Sequence, residues 1–252
     1  MSHLDASCFS GAWPFHKTRR DTLEKVAELH RANGIEGGLV SSVNAIFWND
    51  PWEAELDLAE ELKDYPNYTH VLTVNPTLPG YLDDLNRAVK SFPVAGVRVY
   101  PGFHAWKLSD KAFLSLWDFL REHGLPLFLT LRMEDERVTY LFHPQTVPVE
   151  EIPPFLKEQR GFPVVLSNIR DAELVSIAEA VLARPDVFAD TAGFKGALFF
   201  LDNVADTELP ERMVFGSLSP IFCLQSTKLV VETSLLSENR KEHILSCACL
   251  NH

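Results

Sequence analysis

No apolar run in this chain approaches the roughly 18 residues of a membrane span, and mean hydropathy is close to zero at -0.03. Positive charge is scarce: 23 Lys and Arg stand against 35 Asp and Glu, a formal net charge of -12. Nucleic acid and anionic membrane need a basic face, so neither is expected as the main partner. A small anionic molecule in a local basic pocket remains compatible with that balance. The opening residues MSHLDASCFSG lack a basic stretch followed by an apolar one, so a secretion signal is not expected and a cytoplasmic location is. Cysteine is sparse, with Cys8, Cys223, Cys247 and Cys249 in no disulfide-framework spacing, and reduced thiols are the expectation. Cys247-x-Cys249-x-x-His252 resembles a fragment of a metal site; the plainer reading is small apolar residues on a last helix.

Other absences remove whole chemistries. The nine histidines (3, 16, 30, 70, 104, 123, 143, 243 and 252) show no His-x-His, His-x-x-x-His or HExxH spacing. Gly216-Ser217-Leu218-Ser219-Pro220 is not the G-x-S-x-G elbow of a serine hydrolase. No Gly-rich phosphate loop follows an early strand, which argues against an open doubly wound sheet.

What is there is alternation. Eight apolar, β-branched runs read as strands: 4–10, 37–46, 68–76, 95–101, 126–133, 163–169, 187–194 and 212–218. Amphipathic helical patterns cover 22–34, 50–66, 109–124, 170–185 and 237–250, several with a cap residue at the start or glycine at the end. Eight strand–helix units in 252 residues predict an α/β fold, a single (β/α)8 TIM-barrel domain over 1–252. Active sites of such barrels lie at the C-terminal strand ends. There the chain offers Ser7, Phe9, Ser10, Asn44, Asn75, Arg98, Tyr100, Thr130, Arg132, Asn168, Asp190 and Ser217.

Arginine inside a barrel mouth is costly unless paired or ligand-bound. Two readings follow for Arg98, Arg132 and Arg137. They hold a carboxylate or phosphate through the guanidinium fork, or they form internal ion pairs with Glu134, Asp135, Glu136 or Asp190. Asp190 and Asp135 are the candidate general bases. Tyr100, His104, Thr130 and Asn168 complete the candidate binding set. Trp13 either walls a pocket or pins its loop to the barrel, and Trp48 reads the same way. Cys8 lies on the face of strand one opposite Ser7 and Phe9, so it is expected to pack against helices, and Asp5 is expected to cap structure.

The strand order, Gly11-Ala12-Trp13-Pro14-Phe15 after strand one, GVRVYPGFH (96–104) and FGSLSP (215–220) resemble the amidohydrolase-related proteins of the metal-dependent TIM-barrel hydrolase superfamily. The resemblance spans nearly the whole chain. It implies a metal site of His-x-His on strand one, one His each on strands five and six, and Asp on strand eight. Ser7, Phe9, Thr130, Asn168 and Leu218 stand at those positions, so the resemblance implies a divergent branch with its ligands lost and no metal cofactor.

Three functions follow. The first is a metal-independent hydrolase or related lyase acting on a small carboxylated molecule. The second is a non-catalytic barrel that binds a small anion or a protein partner. The third is a metal hydrolase with a rearranged site, for example from His104, Asp135 and His143. A homodimer is the base-rate expectation for assembly.

Overall fold

The computed structural model describes residues 2–134, 144–194 and 199–250. Eight strands, β1 (Leu4–Ser10), β2 (Gly37–Ser42), β3 (Tyr68–Val74), β4 (Val94–Val99), β5 (Leu127–Thr130), β6 (Val164–Ser167), β7 (Val187–Asp190) and β8 (Met213–Val214), form one sheet in sequence order. All seven neighbouring pairs are parallel. The ends meet through backbone bonds: Ala6 N–H to Phe215 O at 2.8 Å, Leu218 N–H to Ser7 O at 2.7 Å and Phe9 N–H to Ser219 O at 2.8 Å. The barrel is therefore closed with a loose seam, because β8 is only two residues long and continues irregularly.

Helices alternate with the strands: α1 (Leu23–Ala32), α2 (Asn44–Phe47), α3 (Pro51–Glu61), α4 (Tyr81–Ser91), α5 (Pro101–His104), α6 (Leu114–His123), α7 (Ile152–Glu158), α8 (Asp171–Ser176), α9 (Ala178–Leu182), α10 (Phe200–Asn203), α11 (Leu224–Glu232) and α12 (Glu238–Leu245). Local chemistry sets their starts. Thr22 caps α1 by accepting from Lys25 N–H, and Asp50 caps α3 with Pro51 in its first turn. Six of the helices, α2, α4, α5, α7, α10 and α11, fall outside the five helical patterns read from sequence. The run 37–46 does not stay extended: Ser42 Oγ accepts from Ala45 N–H at 3.3 Å and the chain turns into α2. The pattern 170–185 breaks into α8 and α9 at Ile177.

The strand alternation sorts side chains into two sets. Val97, Val99, Leu127, Leu129, Val164 and Leu166 are buried in the main core that packs the strands against the helices. Cys8 joins Leu23, Val26 and Val40 under α1, the helix-facing position expected for it. A third cluster of Phe9, Trp13, Val43, Ile46, Tyr100, Met133, Ala192 and Leu218 covers the C-terminal mouth. No helix among the described residues is long and apolar enough to cross a membrane.

Candidate active site

Among the described residues Arg98 is the only fully buried arginine at the strand ends, with 0 % of its surface exposed. Its Nη1 donates to Ser7 Oγ at 2.9 Å and to Ser167 Oγ at 3.4 Å, and Nη2 reaches Ala6 O at 3.5 Å. The guanidinium carbon lies 5.1 Å from the Phe9 ring centre and 5.0 Å from that of Phe128. Such cation–π contacts stabilise a desolvated cation by about 2 kcal/mol or more, without neutralising its charge. Among the described residues no carboxylate forms an ion pair with it, and its Nε has no hydrogen-bond partner.

Asp190, at the end of β7, is equally buried. Its Oδ1 accepts from Asn168 N–H at 2.8 Å and Ala192 N–H at 3.2 Å, while Oδ2 has no partner. Burial raises its pKa from 3.8 to about 6; the two backbone N–H donors and the Arg98 charge pull only part of the way back. The Ser167 hydroxyl lies beside Asp190 outside hydrogen-bond geometry, between the acid and Arg98. Gly216 closes this space from the β8 side. A Cβ there would stand 2.7 Å from Asp190 Cβ and 2.9 Å from Ser7 Cβ, so only glycine permits the approach.

Five buried atoms from four strand regions thus lack partners: Ser41 Oγ, Arg98 Nε, Tyr100 Oη, Thr130 Oγ1 and Asp190 Oδ2. Ser41 and Thr73 lie beside the Tyr100 hydroxyl without forming a proper bond, and burial pushes the Tyr100 pKa upward. An unsatisfied buried polar atom costs about 1–3 kcal/mol. A protein rarely concentrates that cost without a use for it.

The other candidates are placed differently. Arg132 is clamped by Glu173, Nη1 to Oε2 at 2.8 Å and Nη2 to Oε1 at 2.6 Å, and it also donates to Asn168 O at 2.8 Å. An internal carboxylate therefore occupies the fork, in keeping with the ion-pair reading of this arginine. Glu173, in the first turn of α8, is a partner that was not among the acids named from sequence. Asn168 supports this clamp, since its Nδ2 donates to Arg132 O at 2.7 Å; its backbone is left-handed, with φ 57°. Asp135 and Arg137 lie outside the described residues, as does His143. His104 presents Nε2 to Ile46 O at 3.0 Å, and burial lowers its pKa, which keeps the imidazole neutral. Trp13 donates to Glu134 Oε1 at 2.8 Å and meets Phe15, Phe47 and Phe103 edge to face with centroids 5.6, 5.5 and 6.0 Å away. These contacts hold its loop against α2 and α5. Trp48 is 41 % exposed and does neither.

Ser217 is drawn to the far side of the seam. Its hydroxyl donates to Asp5 Oδ2, and Asp5 Oδ1 accepts from Ser7 N–H at 2.9 Å and Ser217 N–H at 3.0 Å. His30 Nε2 lies 3.3 Å from the same carboxylate, off hydrogen-bond geometry. Asp5 therefore ties β1 to β8, the structural role expected of it. Outside the barrel, a cleft of about 500 Å³ between α3, β3 and α4 contains Glu55. That carboxylate is engaged by His70 and, at 3.0 Å, by Thr73 N–H.

No family model matches the sequence, and no curated protein matches it. Solved structures do match in fold. An uncharacterised TIM-barrel protein from Bordetella bronchiseptica superimposes with a TM-score of 0.73 at 16% identity over 100% of both chains. A 2,6-dihydroxybenzoate decarboxylase from Rhizobium gives 0.72 at 14% identity, over 99% of this chain and 98% of that one. A dihydroxybenzoic acid decarboxylase from Polaromonas, solved with manganese and 2-nitroresorcinol, gives 0.75 at 13% identity, over 99% and 96%. The metal that such barrels imply does not fit the residues here. Ser7, Phe9, Thr130, Asn168 and Leu218 supply no imidazole, thiolate or carboxylate at the implied positions. Among the described residues no three His, Cys, Asp or Glu are grouped to hold an ion. The chain thus has the TIM-barrel fold shared by amidohydrolase-type hydrolases and decarboxylases.

Proposed function

We propose that the barrel interior takes up a small carboxylated molecule and acts on it without a metal, by hydrolysis or a related lyase step. One observation carries this reading: a buried guanidinium without a carboxylate partner stands near a buried carboxylate with one free oxygen. The Arg98 Nε–H is the natural donor to a substrate carboxylate, held in a desolvated setting where a charge-assisted hydrogen bond is strong. Thr130 and Tyr100 supply hydroxyls that donate or accept as the bound molecule requires. Asp190 is the proton-transfer group. With a pKa of about 6 it is mostly ionised at neutral pH yet more basic than an ordinary aspartate. Its free Oδ2 can take a proton from water in hydrolysis, or hold and return one in a lyase step. Solved barrels of the same fold that are named for decarboxylating dihydroxybenzoates support the choice of a carboxylated substrate.

The test is turnover of a panel of small carboxylic acids, and of their esters and lactones, with chelator present and products read by mass spectrometry. Wild type should convert at least one compound, and Asp190→Asn should lose on the order of 10²–10⁴-fold in rate. Conversion unaffected by Asp190→Asn, or conversion only with added metal, would defeat the proposal.

A second reading, a non-catalytic anion-binding barrel, is favoured by the aromatic cluster of Trp13, Phe47 and Phe103 packed at the mouth. It predicts saturable binding of a carboxylate in the same assay with no product.

A further inference from the structure

We infer that the guanidinium of Arg98 takes the place of the divalent cation in this barrel, so that the site's positive charge is built into β4 instead of being bound from solution. The inference rests on the anion-site reading above but is tested without any anion.

The argument is one of position. The resemblance places a metal-binding pair at positions 7 and 9 of β1. Here both side chains are in contact with one guanidinium, Ser7 Oγ at 2.9 Å and the Phe9 ring centre at 5.1 Å. A metal held by side chains at 7 and 9 would have to sit about 2 Å from its donor atoms, where the arginine head now lies. Two cations do not share a desolvated space that small. The remaining contacts fix the head in the same spot: Ser167 Oγ of β6 at 3.4 Å, Ala6 O at 3.5 Å and the Phe128 ring of β5 at 5.0 Å. The substitutions are mutually consistent. A hydroxyl and an aromatic face suit a guanidinium, which donates in plane and stacks through its face, and neither replaces the imidazole that holds a zinc ion.

The exchange also changes what the site can do. A guanidinium polarises and orients an anion, but it does not turn bound water into hydroxide as a metal does. Proton transfer must then come from a carboxylate, and Asp190 stands beside the cation for that purpose.

The experiment is equilibrium dialysis of the full chain against zinc and manganese, with metal per chain read by mass spectrometry and folding checked by circular dichroism. Wild type should retain neither ion. Ser7→His/Phe9→His/Leu218→Asp, which restores three ligands, should also retain neither, because the guanidinium still covers positions 7 and 9. The same variant with Arg98→Met added should retain about one ion per chain. Equal uptake by the triple and quadruple variants overturns the inference, as does a folded quadruple variant that takes up none. Wild type is tested in any case, whether or not the variants fold, and stoichiometric metal there overturns the inference outright.

Discussion

Asp190→Asn separates the electrostatics of the site from its packing. The amide can keep the Oδ1 acceptor for Asn168 N–H and Ala192 N–H, so the structural bonds survive the change. What it removes is a buried negative charge. The wild-type carboxyl has its pKa raised from 3.8 to about 6. An acid whose folded pKa is raised binds its proton more tightly in the folded state. Stability from this group is then fully present below pH 3.8 and is lost as pH rises through about 6. The difference between 3.8 and about 6, at 1.36 kcal/mol for each step of one, gives about 3 kcal/mol. Urea denaturation of both proteins from pH 4 to pH 8 reads this directly. The variant should match wild type near pH 4 and exceed it by up to about 3 kcal/mol at pH 8, while losing turnover. A gap that stays constant across the range, or a variant less stable at pH 8, refutes the claim that a strained carboxylate is kept there for use.

Other outcomes follow from the same contacts. Arg132→Ala should cost about 2–4 kcal/mol in thermal or urea unfolding, since it strands Glu173 beside α8, yet leave the affinity for carboxylates near wild type. Loss of carboxylate binding with unchanged stability would return Arg132 to the site. Trp13→Ala should cost about 3–5 kcal/mol and open the mouth, so that benzoate or formate associates faster in stopped flow; an unchanged association rate would mean that ligands enter elsewhere. Gly216→Ala should cost about 1–3 kcal/mol and lower turnover, because the new methyl group presses on Asp190 and Ser7; a fully active, equally stable variant would contradict the close approach.

The barrel was legible because its signal is periodic. Runs such as VVLS (164–167) and LFLT (127–130) are buried throughout, and no local competitor reinterprets them. Strand tips were less legible. Residues 44–46 read as extended on composition, but the Ser42 hydroxyl offers a helix start, and that local bond wins. The helix Tyr81–Ser91 follows a proline- and glycine-rich turn that masked its start. Within the site, Arg98 and Asp190 could be found from sequence because both follow the inward alternation of their strands. Arg132 could not be assigned: Glu173 lies 41 residues away, and only folding brings β5 and α8 together. The spacing of Arg170 and Glu173, whose carboxylate accepts from Arg170 N–H at 3.0 Å, marked the helix start but not the clamp. Ser167 was missed because an isolated serine on an apolar strand has no sequence signature, although it sits between the cation and the acid. The strand-eight tip shows the reverse case. Its lack of charge was visible at once, and the structure adds what replaces it, a buried Leu218 under the aromatic mouth and a Ser217 turned to Asp5.

The most direct measurement is calorimetric titration of formate and benzoate into wild type, Arg98→Lys and Arg98→Met at pH 7. The account predicts saturable binding to wild type at one site, weakened binding to the lysine variant, which keeps the charge but not the fork, and none to the methionine variant. Equal binding by wild type and Arg98→Met would contradict it, because the charge at the centre of the barrel would then have no part in holding the ligand.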